Sequence, residues 1–379
     1  MYIYTVKPED TLLDIARKNG VTISALVAAN QLSDPYKLPS GLALVIPGQG
    51  IRERSVAVNG YALSAISDAA LLGALGHLTY LSVFSAKARA DGSISELKDT
   101  ELIRKCYVNG VAPVLTLTNR RENGGFCGEI AHAVTADEGV KARLIENVEK
   151  YLDSRNYFGL NMDFEYIWEE DRALYTQLLM DMAETLHRAG RGLYVALAPK
   201  MSHEQSGLPY TAHDYAAVGN IADRVIIMTH GWGRAGGEPM AVAPMDRVRR
   251  VLDYAIMEMP PEKIMMGMAS YGYNWTLPYK KGTSAQPLSL PEIPQTAYRQ
   301  YADIRFDDAA QSPFFRYYDS AGTEHIAWFE DPRSIEAKLK LVGEYGLGGV
   351  SYWNINTLYR PNWAVLSGMY GTEKAFGQG

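Results

Sequence analysis

The spacing of hydrophobic and polar positions changes character once, about 48 residues into this 379-residue chain. At the start, Tyr2 to Val6 alternates as a short strand does, and Leu12, Leu13, Ile15 and Ala16 then follow helical spacing behind an Asp10-Thr11 pair that offers an N-cap. Gly20 ends that helix. A second helix is predicted over Ile23 to Asn30, followed by the turn-rich Ser33-Asp34-Pro35 and a closing strand over Leu42 to Ile46. The order is βααβ, and residues 1–48 form a self-contained unit.

Beyond Gly48-Gln49-Gly50, short apolar runs alternate with amphipathic helices. Predicted strands are Val56–Tyr61, Leu78–Phe84, Ala112–Thr118, Phe158–Glu165, Leu193–Ala198, Val225–His230, Ile264–Ser270 and Gly349–Trp353. Between them, Val140, Leu144, Val148 and Leu152, and again Leu174, Leu178, Met182 and Leu186, recur every fourth residue and mark one apolar helix face. Such alternation predicts an α/β fold, a closed (β/α)8 TIM barrel over residues 51–379, with an open doubly wound sheet as the competing arrangement. Residues 276–328 do not fit the repeat. Their prolines, with Tyr317-Tyr318-Asp319 and His325 to Trp328, predict a small α+β insertion between strands seven and eight, which would wall a site at the C-terminal ends of the strands.

With 47% hydrophobic and 21% charged residues, the composition excludes a disordered or fibrous chain. A net charge of −6 gives no basic footprint, so neither nucleic acid nor an anionic membrane is an expected partner. The apolar stretch Tyr61 to Phe84 is interrupted by Asp68 and His77, which argues against a membrane span. Charges among Met1 to Asp10 stand where a secretory leader needs its apolar run, so no signal peptide is expected. Cys106 and Cys127 make no disulfide framework or zinc pattern, and His203, His213 and His325 lack metal-ligand spacing. No phosphate loop, dinucleotide fingerprint or nucleophile elbow is present, so no metal and no cofactor is expected. Tyrosine and tryptophan, 25 and 6 against 9 phenylalanines, mildly favour a half-wet carbohydrate surface.

The sharpest chemical signal is Tyr157-Phe158-Gly159-Leu160-Asn161-Met162-Asp163-Phe164-Glu165-Tyr166, at the end of the fourth predicted barrel strand. Strand periodicity puts Asn161, Asp163 and Glu165 on one face, into the barrel. Buried carboxylates are costly unless paired, hydrogen-bonded or protonated, and general acid–base work is a reason to bear that cost.

This stretch resembles glycoside hydrolase family 18, whose fourth strand ends Asp-Gly-x-Asp-x-Asp-x-Glu: Gly159, Asp163 and Glu165 match, while Phe158 and Asn161 replace two aspartates. Ala198-Pro199-Lys200, Met228-Thr229, Tyr271-Gly272-Tyr273-Asn274-Trp275 and Ser351-Tyr352-Trp353 agree in order, and the resemblance runs over about residues 53 to 370. It implies Glu165 as general acid, then base, and Asp163 orienting the substrate's 2-acetamido group, which itself attacks the anomeric carbon. It implies Trp353 under the sugar, with Met228 beside it, while Tyr271 and Tyr61, at the ends of predicted strands seven and one, are candidate wall residues or simple core. Asn161 is expected to donate to an ionised Asp163. His230 stands where the family has Tyr, and is expected to bring a pH dependence near 6.5, the usual imidazole range.

The first unit resembles a LysM module, in Tyr4 to Leu12, Ile15-Ala16, Asn30-Gln31-Leu32 and Leu44 to Pro47. That implies a shallow groove for N-acetylglucosamine glycans, with Asp10, Thr11, Leu12 and Asp34 as candidate contacts. The family usually has Gly where Glu9 stands. Together the two resemblances point to bacterial spore cortex-lytic and germination N-acetylglucosaminidases. They imply a peptidoglycan or chitin-like partner, synthesis in the mother-cell cytoplasm and placement on the spore. A chitinase, or a non-catalytic glycan-binding coat protein, is the alternative.

Overall fold

The computed structural model describes residues 1–48, 52 and 54–376. The boundary expected at Gln49-Gly50, and the barrel's outer limits at Ile51 and Gly379, lie outside the described residues.

In the N-terminal unit, β1 (Tyr2–Thr5) pairs antiparallel with β2 (Ala43–Ile46), and helices Leu12–Lys18 and Ile23–Asn30 lie between them in sequence. Thr11 caps the first helix by accepting from Asp14 N–H, and Thr22 caps the second through Ala25 N–H. Buried Asn30 joins helix to sheet: its amide donates to Val45 O at 2.8 Å and accepts from Val45 N–H at 2.6 Å. Glu9 sits at φ 69°, in left-handed backbone that favours glycine.

Seven barrel strands follow: β3 (Ser55–Leu63), β4 (Tyr80–Lys87), β5 (Ala112–Thr118), β6 (Gly159–Asp163), β7 (Gly192–Leu197), β8 (Arg224–Ile227) and β9 (Ile264–Ala269). After β9 the chain leaves the barrel and forms β10 (Gly272–Thr276), β11 (Gln286–Leu288), β12 (Arg305–Asp307), β13 (Ser312–Tyr318) and β14 (Glu324–Trp328). It returns as β15 (Gly349–Trp353), and β16 (Gly371–Thr372) adds outside β3. Parallel pairing runs from β3 through β9 to β15, and β15 pairs back onto β3 with Gly349 opposite Ala57, which closes the barrel. A Cβ on Gly349 would lie 1.9 Å from Ala57 O, so only glycine fits this seam. Gly159, at the start of β6, is similarly required, since a Cβ there would meet Gly192 O at 2.5 Å.

The sequence expectation is corrected in two places. The insertion sheet, in the order β11-β10-β14-β13-β12, begins at Gly272 rather than 276, so Tyr273-Asn274-Trp275 belong to the insertion. Gly272 permits this, because a Cβ would lie 2.5 Å from Trp328 O where β10 meets β14. Part of the tyrosine excess, moreover, is structural: Tyr157, Tyr175, Tyr215, Tyr352 and Tyr370 are fully buried. Three of these hydroxyls find partners inside, Tyr157 on Asp99 (2.6 Å), Tyr215 on Ala198 O (2.6 Å) and Tyr370 on Leu339 O (3.2 Å), while those of Tyr175 and Tyr352 have none among the described residues.

The N-terminal unit is docked, not tethered. Leu12, Ile15, Leu26 and Leu44 share one hydrophobic core with Ile293, Ile304, Phe315 and Phe329 of the insertion. Ile304 N–H donates to Ser40 O at 2.9 Å, beside Gly41, whose φ is 81°. Among the described residues no helix is long and apolar enough to cross a membrane.

Candidate active site

A pocket of about 300 Å³ opens at the C-terminal ends of the barrel strands. β6 delivers Asp163 as its last residue, with Asn161 on the same inward face; Glu165 follows two residues beyond the ladder, and both carboxyls line the pocket. Burial pushes Asp163 up to about 7 and Glu165 up to about 8, with the Asp163 charge adding to the rise at Glu165. Arg120 opposes both rises, and its guanidinium lies 5.7 Å from the Phe84 ring and 5.6 Å from Phe126. Asp163 Oδ1 and Arg120 Nε are buried without a hydrogen-bond partner among the described residues, which marks them as groups poised for a ligand.

Aromatic walls complete the cleft. Trp353 packs edge-on against Tyr61 at 5.3 Å and Phe84 at 4.7 Å. Tyr271 stands perpendicular to the His230 ring at 6.3 Å, and Met228 and Ile226 line the same pocket. Ser351, which lines the pocket, joins it to a polar layer: Ser82 donates to Asn59 Oδ1 at 2.9 Å, and Asn59 Nδ2 donates to Ser351 Oγ at 2.8 Å.

Three site expectations change. Asn161 is fully buried beneath the pocket, and its Nδ2 donates to the Tyr61 hydroxyl at 2.9 Å instead of to Asp163. It therefore seats Tyr61 and is not a sugar contact, and Asp163, without that donor, is held up by burial rather than kept ionised by an amide. His230 lines the pocket, but desolvation pushes its pKa down to about 4, so it stays a neutral imidazole and the expected titration near 6.5 is absent. Its seat depends on Gly267, where a Cβ would lie 3.0 Å from His230 Cδ2.

In the N-terminal unit, Asp10, Thr11 and Leu12 line a second pocket of about 350 Å³ with Leu13, Ile23, Pro35, Tyr36 and Leu38. Asp34 is not part of it: its carboxylate pairs with Lys37 at 2.8 Å and accepts from Tyr36 N–H at 3.0 Å, shaping the loop. Asp10 also spends an oxygen internally, accepting from the Tyr4 hydroxyl at 2.8 Å. The residue overlooked is Tyr36, which lines this pocket and is 91% exposed.

In the barrel the overlooked residues are Arg120, Phe84, Phe126 and Ser351. Arg120 and Phe126 pair across a hairpin after β5 that turns at Gly124 and Gly125, both at positive φ. The one available signal was position, since Arg120 follows the C-terminal end of a barrel strand by two residues.

The description "Glycosyl hydrolases family 18" matches residues 129–357, and "LysM domain" matches residues 4–47. The chain is 38% identical to the cortical fragment-lytic enzyme of Bacillus subtilis (strain 168), over 99% of each chain, and 39% identical to that of Bacillus anthracis, over 76% of this chain and 67% of that one. In structure it resembles the spore cortex-lytic enzyme SleL of Bacillus megaterium, with a TM-score of 0.93 and 31% identity over 98% of each chain. A chitinase from Chromobacterium violaceum gives a TM-score of 0.78 at 25% identity, over 83% of this chain and 98% of that one. Carboxyls with raised pKa values at the mouth of a closed barrel agree with these matches: the chain belongs to glycosyl hydrolase family 18, carries an N-terminal LysM domain, and is a glycosidase.

Proposed function

We propose that this glycosidase cleaves peptidoglycan after N-acetylglucosamine, with spore cortex as its substrate, by retaining, substrate-assisted catalysis. The observation that carries the proposal is the Asp163 and Glu165 pair, raised to about 7 and about 8 in one aromatic-walled cleft. Over the pH range in which such a pair holds one proton, the two carboxyls titrate as a unit. With that proton on Glu165, the acid is loaded and Asp163 is anionic.

Glu165 gives its proton to the glycosidic oxygen as the bond to the anomeric carbon breaks. The substrate's acetamido oxygen attacks that carbon from the opposite face, and Asp163 orients the acetamido N–H and stabilises the positive oxazolinium. The neutral His230 imidazole donates toward the acetamido group, taking the part of the family's Tyr. Glu165, now a carboxylate, removes a proton from water as the water opens the ring, which restores the acid. Trp353 supplies the apolar floor, and Tyr61 and Tyr271 its sides.

The cortex-lytic names of the relatives that span almost the whole chain favour peptidoglycan over chitin, and also favour a spore location. The test is reducing-end analysis of digested cortex fragments beside chitin. N-acetylglucosamine at the new reducing ends, abolished by Glu165→Gln, is the expected result. Muramic acid at those ends overturns the bond assignment, and faster turnover of chitin overturns the substrate. Glycan binding without hydrolysis by the unaltered protein would make it a binding protein.

A further inference from the structure

Glu165 lies past the last ladder residue of β6, so no neighbouring strand fixes its main chain. Two buried side chains take the place of those strands. On the β5 side, Asn119 accepts from Glu165 N–H at 3.0 Å and donates to Glu165 O at 2.8 Å, meeting both backbone groups as a paired strand residue would. Its second amide hydrogen goes to Cys127 O at 3.0 Å, which ties the same amide to the hairpin carrying Arg120 and Phe126. On the β7 side, His213 Nε2 contacts Phe164 O at 3.0 Å, while Nδ1 accepts from Ala198 N–H at 3.0 Å. Because Nδ1 faces an N–H donor, the proton must sit on Nε2, and the ring is a fixed donor to Phe164 O. Both side chains are at most 1% exposed.

We propose that Asn119 and His213 are positioning residues that extend the β6 ladder by two residues and so hold the Glu165 carboxyl at the glycosidic oxygen. The proposal rests on Glu165 being the acid. Immediately after the clamp Tyr166 turns away at φ 55°, so the chain has no further regular pairing to fall back on. His213 in its neutral form suits this role, since a protonated Nδ1 would face Ala198 N–H with two donors and no acceptor; burial pushes its pKa down to about 4. The groups packed around the ring are Tyr175, 6.4 Å away, and the Lys200 cation, which further disfavours protonation.

The test compares two substrates. An oligosaccharide released from peptidoglycan has a poor leaving group that needs the acid, whereas a 2,4-dinitrophenyl glycoside of N,N'-diacetylchitobiose leaves without protonation. A displacement of the acid by about 1 Å costs about 100-fold. Asn119→Ala and His213→Leu should therefore each lower kcat/KM about 100-fold on the oligosaccharide and less than about fivefold on the aryl glycoside, while His213→Gln, which keeps a donor at the same reach, restores most of the loss. Equal losses on both substrates, unchanged activity on both, or failure of both Asn119→Ala and His213→Leu to fold would give these residues a structural role alone and overturn the proposal. If the unaltered protein cleaves neither substrate, the function itself falls and the clamp's role with it.

Discussion

Replacing Glu165 by glutamine should make the protein more stable as the solution becomes alkaline, even as it removes the proposed acid. In the folded protein the carboxyl is pushed from its ordinary 4.5 up to about 8, chiefly by burial and secondarily by the Asp163 charge. Between those two pH values the folded state binds more protons than the unfolded chain, so stability is fully present below about 4.5 and falls as pH rises toward about 8. A rise of that size corresponds to about 5 kcal/mol at about 1.4 kcal/mol per tenfold change. Solvent in the open cleft and proton sharing with Asp163 reduce what one substitution recovers to about 2–4 kcal/mol.

An entropy of unfolding of about 2 cal/mol/K per residue makes that a Tm increase of about 3–6 °C for a barrel of this size. Thermal unfolding of the unaltered and Glu165→Gln proteins, followed by calorimetry at pH 5 and pH 8.5, measures it. The difference should be small at the lower pH and open toward the higher one. A difference that does not change with pH, or a glutamine variant less stable at pH 8.5, would refute the claim that ionising this carboxyl strains the fold.

Elements were legible in the sequence wherever periodicity decides them. Ala112–Thr118 and Gly349–Trp353 occupy the predicted spans, because apolar runs of five to seven residues between turns are what a barrel strand requires. The acidic pair was legible for the opposite reason: Asp163 and Glu165 violate the apolar pattern around them. What stayed hidden depends on side chains meeting across the sheet. Nothing local in the sequence tells Asn161 to turn to Tyr61, 100 positions away, or tells His213 to seek the carbonyl of Phe164. Arg120 showed only its position after β5, since its effect on both carboxyls exists only once the hairpin folds over the cleft. Docking of the LysM domain was missed because Leu12, Ile15 and Leu26 look like the private core of a small unit, yet their core continues into the insertion.

The remaining expectations follow from these placements. With His230 neutral above about 4, His230→Gln should leave both limbs of the pH–rate profile in place; an acidic limb that moves would return the titration to His230. Tyr36→Ala, which removes the ring of a 91% exposed residue from the LysM groove, should weaken pull-down on insoluble peptidoglycan about fivefold to tenfold, an aromatic platform being worth about 1 kcal/mol. Soluble-oligosaccharide turnover should not change, and equal binding by the variant would move the groove elsewhere. Gly41→Ala tests the docking itself. Its Cβ would fall 1.8 Å from Ile304 O, on backbone at φ 81°, so neither a rotamer nor a small shift relieves it, and the LysM domain must separate from the insertion. Separation exposes Leu12, Ile293 and Phe315 of the shared core, at about 1.5–3 kcal/mol for each large side chain uncovered. The unaltered protein should melt in one transition and the variant in two, with increased dye binding to apolar surface before the barrel melts. One unchanged transition would mean that the domain is held elsewhere and that the shared core contributes little.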